Sequence, residues 1–130
     1  MIRRAIAALV GVVLCGASIA QEAPHSQYPQ RPTRVIVAYS PGAGVDLMAR
    51  VIAQRLAEVF GQPFVVENRP GANGLVGAQA VARSAPDGAT IVVIDRGALT
   101  INPLLMKAPP YDSLKDFAYT GVTTELRYVL

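Results

Sequence analysis

Cysteine and histidine are almost absent from this chain, and their scarcity excludes several kinds of site. Cys15 is the single cysteine and His25 the single histidine among the 130 residues. A structural zinc site takes about four such ligands close together, and a disulfide framework needs paired cysteines. Cys15 lies in a leader that we expect to be removed, so the mature chain has no thiol. We expect no metal and no cofactor.

Charge is also scarce, and it is nearly balanced. Charged residues make up 16% of the chain, with 12 basic and 9 acidic residues. Removal of the leader takes Arg3 and Arg4 with it, which leaves 10 basic and 9 acidic residues and a net charge of +1. A nucleic-acid-binding protein shows a basic stripe with interleaved aromatic residues, and this chain has none. The hydrophobic fraction of 52% permits the core of one domain.

No apolar run reaches the roughly 20 residues that a membrane-spanning helix needs. The first 20 residues instead have the pattern of a secretory signal peptide. Arg3-Arg4 precedes an uncharged apolar segment from Ala5 to Leu14, and the small residues Ser18 and Ala20 follow. We predict cleavage after Ala20 and export to a bacterial periplasm.

After a polar lead-in over residues 21–32, apolar β-branched runs alternate with segments of helical spacing. Strands are predicted at 34–39, 63–67, 90–94, 119–122 and 127–130. Helices are predicted at 46–60 and 75–83, with a helical piece ending near Met106 and a helical turn at 114–117. This alternation predicts an α/β fold, with a mostly parallel sheet flanked by helices over residues 33–130. The chain ends on apolar residues, so we expect it to be a truncated form.

The apolar pattern also predicts which faces are buried. Near-continuous Val/Ile runs predict that the first and third strands are buried on both faces. Small residues on the second helix predict close packing against the sheet. On the first helix, an apolar stripe is predicted to form the core face: Met48, Val51, Ile52, Leu56, Val59 and Phe60.

Three segments follow the strands at the carboxyl edge of the predicted sheet, where open α/β sheets bind ligands. Two are glycine-rich turns before helices (41–46 and 69–74), and the third covers residues 95–102. Backbone N–H groups at helix N-termini suit a carboxylate. Hydroxyls of Ser40 and Thr100 and the amide of Asn73 or Asn102 can add hydrogen bonds. The alternative is that each glycine serves turn geometry alone.

A dinucleotide site is a rival interpretation. Gly42-Ala43-Gly44 after a strand, with Glu67 ending the next strand, mimics the dinucleotide fingerprint. Leu47 occupies the third glycine position, however, so the close helix–strand approach of the fingerprint is not provided.

Acidic residues near these turns have structural explanations as well. Asp46 lies in the first turn of a helix, where it is predicted to cap N–H groups and order the turn. Glu67 and Asp95 could form a carboxylate pair if their strands are adjacent, but pairing with Arg69 or Arg96 is the better prediction. No serine lies in a nucleophile elbow and the mature chain has only His25 as a base. We therefore predict no enzyme activity, with a periplasmic α/β enzyme as the weaker alternative.

The motifs from Tyr28 onward resemble those of the extracytoplasmic solute receptors of tripartite tricarboxylate transporters, the Bug receptors. The resemblance is carried by these segments: Tyr28-Pro-x-Arg-Pro32, Pro41-Gly-Ala-Gly-Val-Asp46, Ala49-Arg50, Val66-Glu-Asn-Arg-Pro-Gly-Ala-Asn-Gly74, Gly77, Val81-Ala82, Pro86-Asp-Gly88, Asn102-Pro103, Pro110-Tyr-Asp112 and Lys115-Asp-Phe117. Members of that family continue well beyond the length of this chain.

The resemblance implies one part of the first domain of a two-lobe fold like that of type II periplasmic binding proteins. It implies a small organic carboxylate as ligand, membrane subunits as partners, and a monomeric receptor. The alternative is a non-functional fragment of such a receptor. Two positions depart from the family: Ala43 replaces one glycine of a usual pair, and Arg96 replaces a small or hydroxylated residue. The ligand-side positions that the resemblance implies are Ser40, Pro41, Gly42, Ala43, Gly44, Asp46, Gly71, Ala72, Asn73, Gly74, Arg96, Thr100 and Asn102.

Overall fold

The structure is a computed structural model, and it describes residues 28–123. The strands are β1 (Thr33–Val37), β2 (Phe64–Asn68) and β3 (Thr90–Val93). The helices are α1 (Gly44–Phe60), α2 (Leu75–Ala82) and the short α3 (Asn102–Leu104). A 3₁₀ turn (Ala72–Gly74) precedes α2 and a π-helical turn (Gly97–Ile101) precedes α3. The predicted leader and the strand predicted at 127–130 lie outside the described residues.

All three strands are parallel, in the order β2-β1-β3. Val35 at the centre of β1 pairs with Val66 on one side and with Ile91 on the other. The predicted parallel α/β fold is confirmed. Because the strands run in the same direction, the segments that follow them all leave from one edge of the sheet.

The core of the described part lies on the central strand. Val35, Ile36 and Val37 are at most 1% exposed, as their apolar run predicts. The prediction that β3 is buried on both faces is wrong, since all four of its residues are only half-buried. The physical reason is position, because β3 lies at one edge of the three-stranded sheet.

Helix α1 packs on the sheet through small side chains. Ala49 and Ala53 are 0% and 3% exposed, whereas Val51 and Val59 of the predicted core stripe are 60% and 77% exposed. The predicted core face is therefore partly wrong: the alanines let the helix lie close to β1, and the larger residues fall to the sides. At the other end, Gly61 closes the helix in a left-handed conformation, with its N–H donating to the Ala57 carbonyl at 2.9 Å.

Residues 105–123 form no further strand. The strand predicted at 119–122 is wrong, because this segment has no sheet partner among the described residues. A helical turn near the predicted position is held by the Asp116 N–H, which donates to the Asp112 carbonyl at 2.9 Å. Tyr119 donates its hydroxyl to the Ser113 carbonyl at 2.8 Å and is committed to this turn. Within residues 28–123, no helix has both the length and the apolar character to cross a bilayer.

Candidate functional site

Three segments meet at the carboxyl edge of the sheet, as predicted. We call them the first turn (39–46), the second turn (69–74) and the third segment (95–102). The Tyr39 hydroxyl of the first turn donates to the Asp95 carboxylate of the third segment. The Asn102 side-chain amide donates to the Asn73 carbonyl at 2.9 Å, which joins the third segment to the second turn.

The first turn presents free backbone N–H groups at the start of α1. Gly42 N–H donates to the Asp46 carboxylate at 2.8 Å, and Ala43 N–H to the Ser40 carbonyl at 3.2 Å. The N–H groups of Gly44 and Val45 make no hydrogen bond to another described residue. Such groups at a helix N-terminus, with the helix dipole behind them, bind anions.

Ala43 fits this turn without strain. Its backbone angles are φ −64° and ψ 154°, which any residue adopts. The replacement of the family's glycine by Ala43 therefore introduces no backbone strain in this turn. Ser40, Pro41, Gly42 and Gly44 are exposed, and Ala43 is half-buried.

Asp46 lies beneath the turn rather than at its surface, since it is 1% exposed. Its carboxylate accepts hydrogen bonds from Arg50, from Gly42 N–H and from Asn68. Hydrogen bonds from Arg50, Gly42 and Asn68, in that order of importance, lower the pKa of Asp46 from 3.8 to about 2. The predicted ordering of the turn thus has a physical basis, although the N–H that Asp46 receives lies before the helix and not in it.

The second turn carries a further pair of free N–H groups. Ala72 and Asn73 have positive φ values of 46° and 51°, and neither N–H reaches an acceptor among the described residues. Gly71, Ala72 and Asn73 are exposed and Gly74 is buried. A Cβ at Gly74 would lie 2.8 Å from the Ala98 Cβ and 3.2 Å from the Tyr39 hydroxyl oxygen. Gly74 is therefore the point where all three segments touch.

The third segment is fixed by Asp95. One carboxylate oxygen accepts from Tyr39 and the other from the Ala98 N–H at 2.9 Å. Burial, and then the hydrogen bond to Asp95, raise the pKa of Tyr39. The predicted pairing of Asp95 with Arg96 is wrong, because both oxygens of Asp95 already have other partners.

The remaining predicted residues of this segment differ in what they can offer. Arg96 is exposed and forms no ion pair within residues 28–123. Thr100 donates its hydroxyl to the Arg96 carbonyl at 2.8 Å, so that proton is committed to the backbone. Asn102 is half-buried, and its amide holds the second turn.

Glu67 is a structural residue, as predicted. Its two oxygens accept from Arg34 at 2.6 Å and from Arg69 at 2.7 Å, and these hydrogen bonds lower its pKa. A pair between Glu67 and Asp95 would need adjacent strands, but β1 lies between β2 and β3. No such pair forms.

The dinucleotide interpretation also loses its acidic residue. Both oxygens of Glu67 are engaged by arginines, whereas a dinucleotide site needs that carboxylate for a ribose hydroxyl. The third glycine of the fingerprint is absent as well, since Leu47 occupies its position. Leu47 is 58% exposed, and the close approach of α1 to the sheet comes from Ala49 and Ala53.

An apolar groove of about 580 Å³ lies beside the third segment. Its walls come from α3, from residues 109–114 and from Thr100. Within the described part of the chain, no group of three or more His, Cys, Asp or Glu side chains is placed to hold a metal ion.

Three residues of the edge were missed by the sequence interpretation as site residues: Tyr39, Arg50 and Asn68. Arg50 follows Asp46 at i,i+4 spacing, a recognisable ion-pair signal on a helix. Asn68 directly follows Glu67 at the end of β2, but nothing in its position in the sequence predicts contact with the first turn. Tyr39 was predicted only as the last residue of a strand, which gives no sign of its hydrogen bond to Asp95.

The described residues thus form an α/β lobe with unpaired N–H groups gathered at the carboxyl edge of a parallel sheet. The family described as tripartite tricarboxylate transporter family receptor matches residues 48–130. BugT of Bordetella pertussis is 39% identical over 124 residues, 95% of this chain. The chain belongs to the family of tripartite tricarboxylate transporter receptors.

Solved structures agree with this assignment. The periplasmic binding protein BugD is 37% identical, with a TM-score of 0.65 over 69% of this chain. MatC from Rhodopseudomonas palustris, solved with bound malate, is also 37% identical, with a TM-score of 0.65 over 69% of this chain. The family consists of periplasmic solute-binding receptors and not of enzymes. The chain spans 38% of BugT, 30% of BugD and 31% of MatC.

Proposed function

We propose that this chain supplies one wall of a receptor cleft that binds a small organic carboxylate. The observation that carries the proposal is the pair of turns with unpaired N–H groups, Gly44 and Val45 in the first and Ala72 and Asn73 in the second. Malate bound to MatC is a carboxylate ligand of the expected kind. Backbone donors at helix N-termini recognise a carboxylate without a charged side chain.

The same proposal includes where the receptor is located and which proteins it works with. A leader cleaved after Ala20 would deliver the chain to the periplasm, with residues 21–32 as a lead-in and residues 33–130 as part of a lobe. The receptor acts as a monomer that hands its carboxylate to membrane subunits of a transporter. It binds without turning over its ligand, as a member of a family of receptors.

A single wall should bind weakly. A cleft receptor buries most of its ligand between two lobes, and the described residues provide donors from one side. We expect this chain to bind dicarboxylates and tricarboxylates in the millimolar range or more weakly. Calorimetry with a panel of these acids tests the point, and micromolar affinity would contradict it.

The donors themselves can be tested by removing one N–H. Proline is tolerated at the first position of a helix, and Gly44 occupies that position in α1. Ala43 before it already has the extended angles that a following proline requires, and a Cβ at 44 meets nothing within 4 Å. Gly44→Pro therefore deletes the donor with little structural change, and Gly44→Ala keeps the donor as the matched control.

Amide chemical shifts during a malate titration provide the measurement. We expect the amides of Val45, Ala72 and Asn73 to respond to malate in the wild-type chain and in Gly44→Ala. In Gly44→Pro, the malate concentration for half of the change should rise about tenfold, since a hydrogen bond to a charged group contributes about 1.5–3 kcal/mol. A neutral diamide of malate should produce no response. Equal responses in the two variants, or none to malate in the wild-type chain, would overturn the proposed site.

A further inference from the structure

Three side chains beneath the first turn form a closed ring of hydrogen bonds. Arg50 Nε donates to Asp46 Oδ2 at 3.1 Å, and Arg50 Nη2 donates to Asn68 Oδ1 at 3.1 Å. Asn68 Nδ2 closes the ring by donating to Asp46 Oδ1 at 2.8 Å. Each of the three side chains is bonded to both others. Because two come from α1 and one from the end of β2, the ring joins helix to sheet.

The ring holds the turn at two backbone positions. Gly42 N–H donates to Asp46 Oδ2 at 2.8 Å, and the Tyr39 carbonyl accepts from Asn68 Nδ2 at 3.0 Å. These two positions flank Ser40 and Pro41, the exposed tip of the turn. The ring therefore grips the backbone on both sides of that tip.

Asn68 cannot be replaced easily in this arrangement. Its amide group has two N–H donors and one oxygen, and the two donors serve the Tyr39 carbonyl and Asp46 while the oxygen accepts from Arg50. Aspartate would lack the donors and would place a second negative charge beside Asp46. Alanine would remove all three bonds and leave part of the buried Asp46 carboxylate unpaired.

We propose that Asp46, Arg50 and Asn68 are positioning residues, which hold the first turn in its ligand-competent form before the ligand arrives. The inference rests on the proposed carboxylate site. By engaging Gly42 N–H, the ring leaves the donors of Gly44 and Val45 for the ligand. A turn that is already ordered spares the ligand the entropic cost of ordering it. The guanidinium of Arg50 offsets the charge of Asp46, which would otherwise oppose an incoming anion.

Backbone order in the turn tests the ring without any ligand. Asn68→Ala should lower the ¹⁵N order parameters of Ser40, Gly42 and Ala43 from about 0.85 to below about 0.6, the values of rigid and flexible backbone. The order parameters of residues 52–57 in α1 should not change. Gln54→Ala is the matched control, since Gln54 is exposed on α1 and its amide donates only to Glu58. An ordered turn in Asn68→Ala would overturn the proposal.

A malate titration tests whether the order matters for binding. At a temperature where both proteins are fully folded, Asn68→Ala should need at least fivefold more malate than the wild type for the same Val45 amide shift. A residue with a structural role alone would lower the melting temperature and leave this malate dependence unchanged. Equal malate dependence with a disordered turn would therefore count against positioning.

Two further outcomes separate this inference from the proposed function. If the wild-type chain does not respond to malate, the proposed carboxylate site is wrong. The order parameters still show independently whether the ring orders the first turn. If Asn68→Ala does not fold, Arg50→Met takes its place, since Arg50 is half exposed and methionine keeps its aliphatic packing. That variant removes two of the three bonds of the ring but leaves the bonds to Gly42 N–H and to the Tyr39 carbonyl, so we expect the same changes at smaller size.

Discussion

Gly77 of α2 lies directly against Ala38, the residue that follows β1. A Cβ at position 77 would stand 2.7 Å from the Ala38 Cβ and 2.8 Å from its Cα. Such distances are far below normal carbon–carbon contact, so only glycine allows the helix this close to the strand. The start of α2 carries the second turn, and this contact therefore sets how near the second turn lies to the first.

Gly77→Ala should destabilise the fold. Overpacking a close contact costs about 1–3 kcal/mol, and a contact of 2.8 Å with a backbone atom places the cost in the upper part of that range, above the gain of about 1 kcal/mol that alanine brings to a helix. Chemical denaturation measures the change. Gly44→Ala is the control, because a Cβ there meets no atom within 4 Å, and it should be neutral or slightly stabilising. If both variants are equally stable, the conclusion that α2 lies too close to β1 for any side chain at position 77 is wrong.

Tyr39 should be important for the junction of the first turn and the third segment. Tyr39→Phe removes the hydroxyl that donates to Asp95, and we expect a loss of about 1 kcal/mol, the usual net worth of such a bond. Tyr119→Phe is the matched control: it also removes a hydroxyl that donates to a backbone carbonyl, but Tyr119 is 60% exposed and water can replace the lost partner, so stability should change by less than about 0.5 kcal/mol. Similar losses in both would contradict a special role for Tyr39.

The same residue gives a prediction at high pH. Because folding raises the pKa of Tyr39, the folded state favours the protonated phenol. Its contribution to stability is present below about pH 10, the ordinary value for tyrosine, and declines as the pH rises further. Melting temperatures measured from pH 8 to pH 11 should fall more steeply in the wild type than in Tyr39→Phe. Parallel curves would exclude this linkage.

The sequence predicted the course of the backbone well because its signals are local. Glycine and proline mark the turns, β-branched runs mark the strands, and alternation with helices places the three turns at one edge. The buried face of α1 was misjudged, since hydrophobicity favours Val51 and Val59 while close packing selects Ala49 and Ala53. The strand predicted at 119–122 was wrong for a related reason. Strand propensity alone does not form a strand, which also needs a neighbouring strand to pair with.

The chemistry of the edge was only partly predictable. Unpaired N–H groups follow from turn and helix boundaries, and these the sequence indicates. Which of them are already occupied depends on side chains from other elements, such as Asn68 reaching the Tyr39 carbonyl at 3.0 Å. A contact between residues 29 positions apart leaves no periodicity or spacing to detect.

Replacement of Thr33, at the start of β1, should increase the stability of the fold. It is 0% exposed, and its hydroxyl oxygen has no hydrogen-bond partner among the described residues. A buried polar group without a partner is costly, so Thr33→Val should stabilise the fold by about 1 kcal/mol while keeping a β-branched residue in the strand. Thr90→Val on β3 is the control, since Thr90 is only half-buried and should gain less. Destabilisation by Thr33→Val would show that the hydroxyl has a partner in solution.

Asp46 should give the fold an acid-sensitive component. Its pKa falls from 3.8 to about 2 on folding, chiefly through the hydrogen bond from Arg50. A carboxylate whose pKa is depressed contributes stability above its unfolded value, and that contribution is lost as the pH falls through the folded value. The contribution of Asp46 is therefore complete above about pH 4 and disappears towards pH 2.

Asp46→Asn isolates this component from the other carboxylates. Asparagine places an amide among three donors, so the variant should be less stable than the wild type at pH 7. The difference should narrow as the pH falls from 4 to 2, because the wild-type carboxyl becomes protonated there. Arg50→Met should show the same trend and Arg55→Met should not, since Arg55 pairs with Glu58 on the exposed side of α1. A difference that stays constant from pH 7 to pH 2 would show that the ionisation of Asp46 does not stabilise the turn.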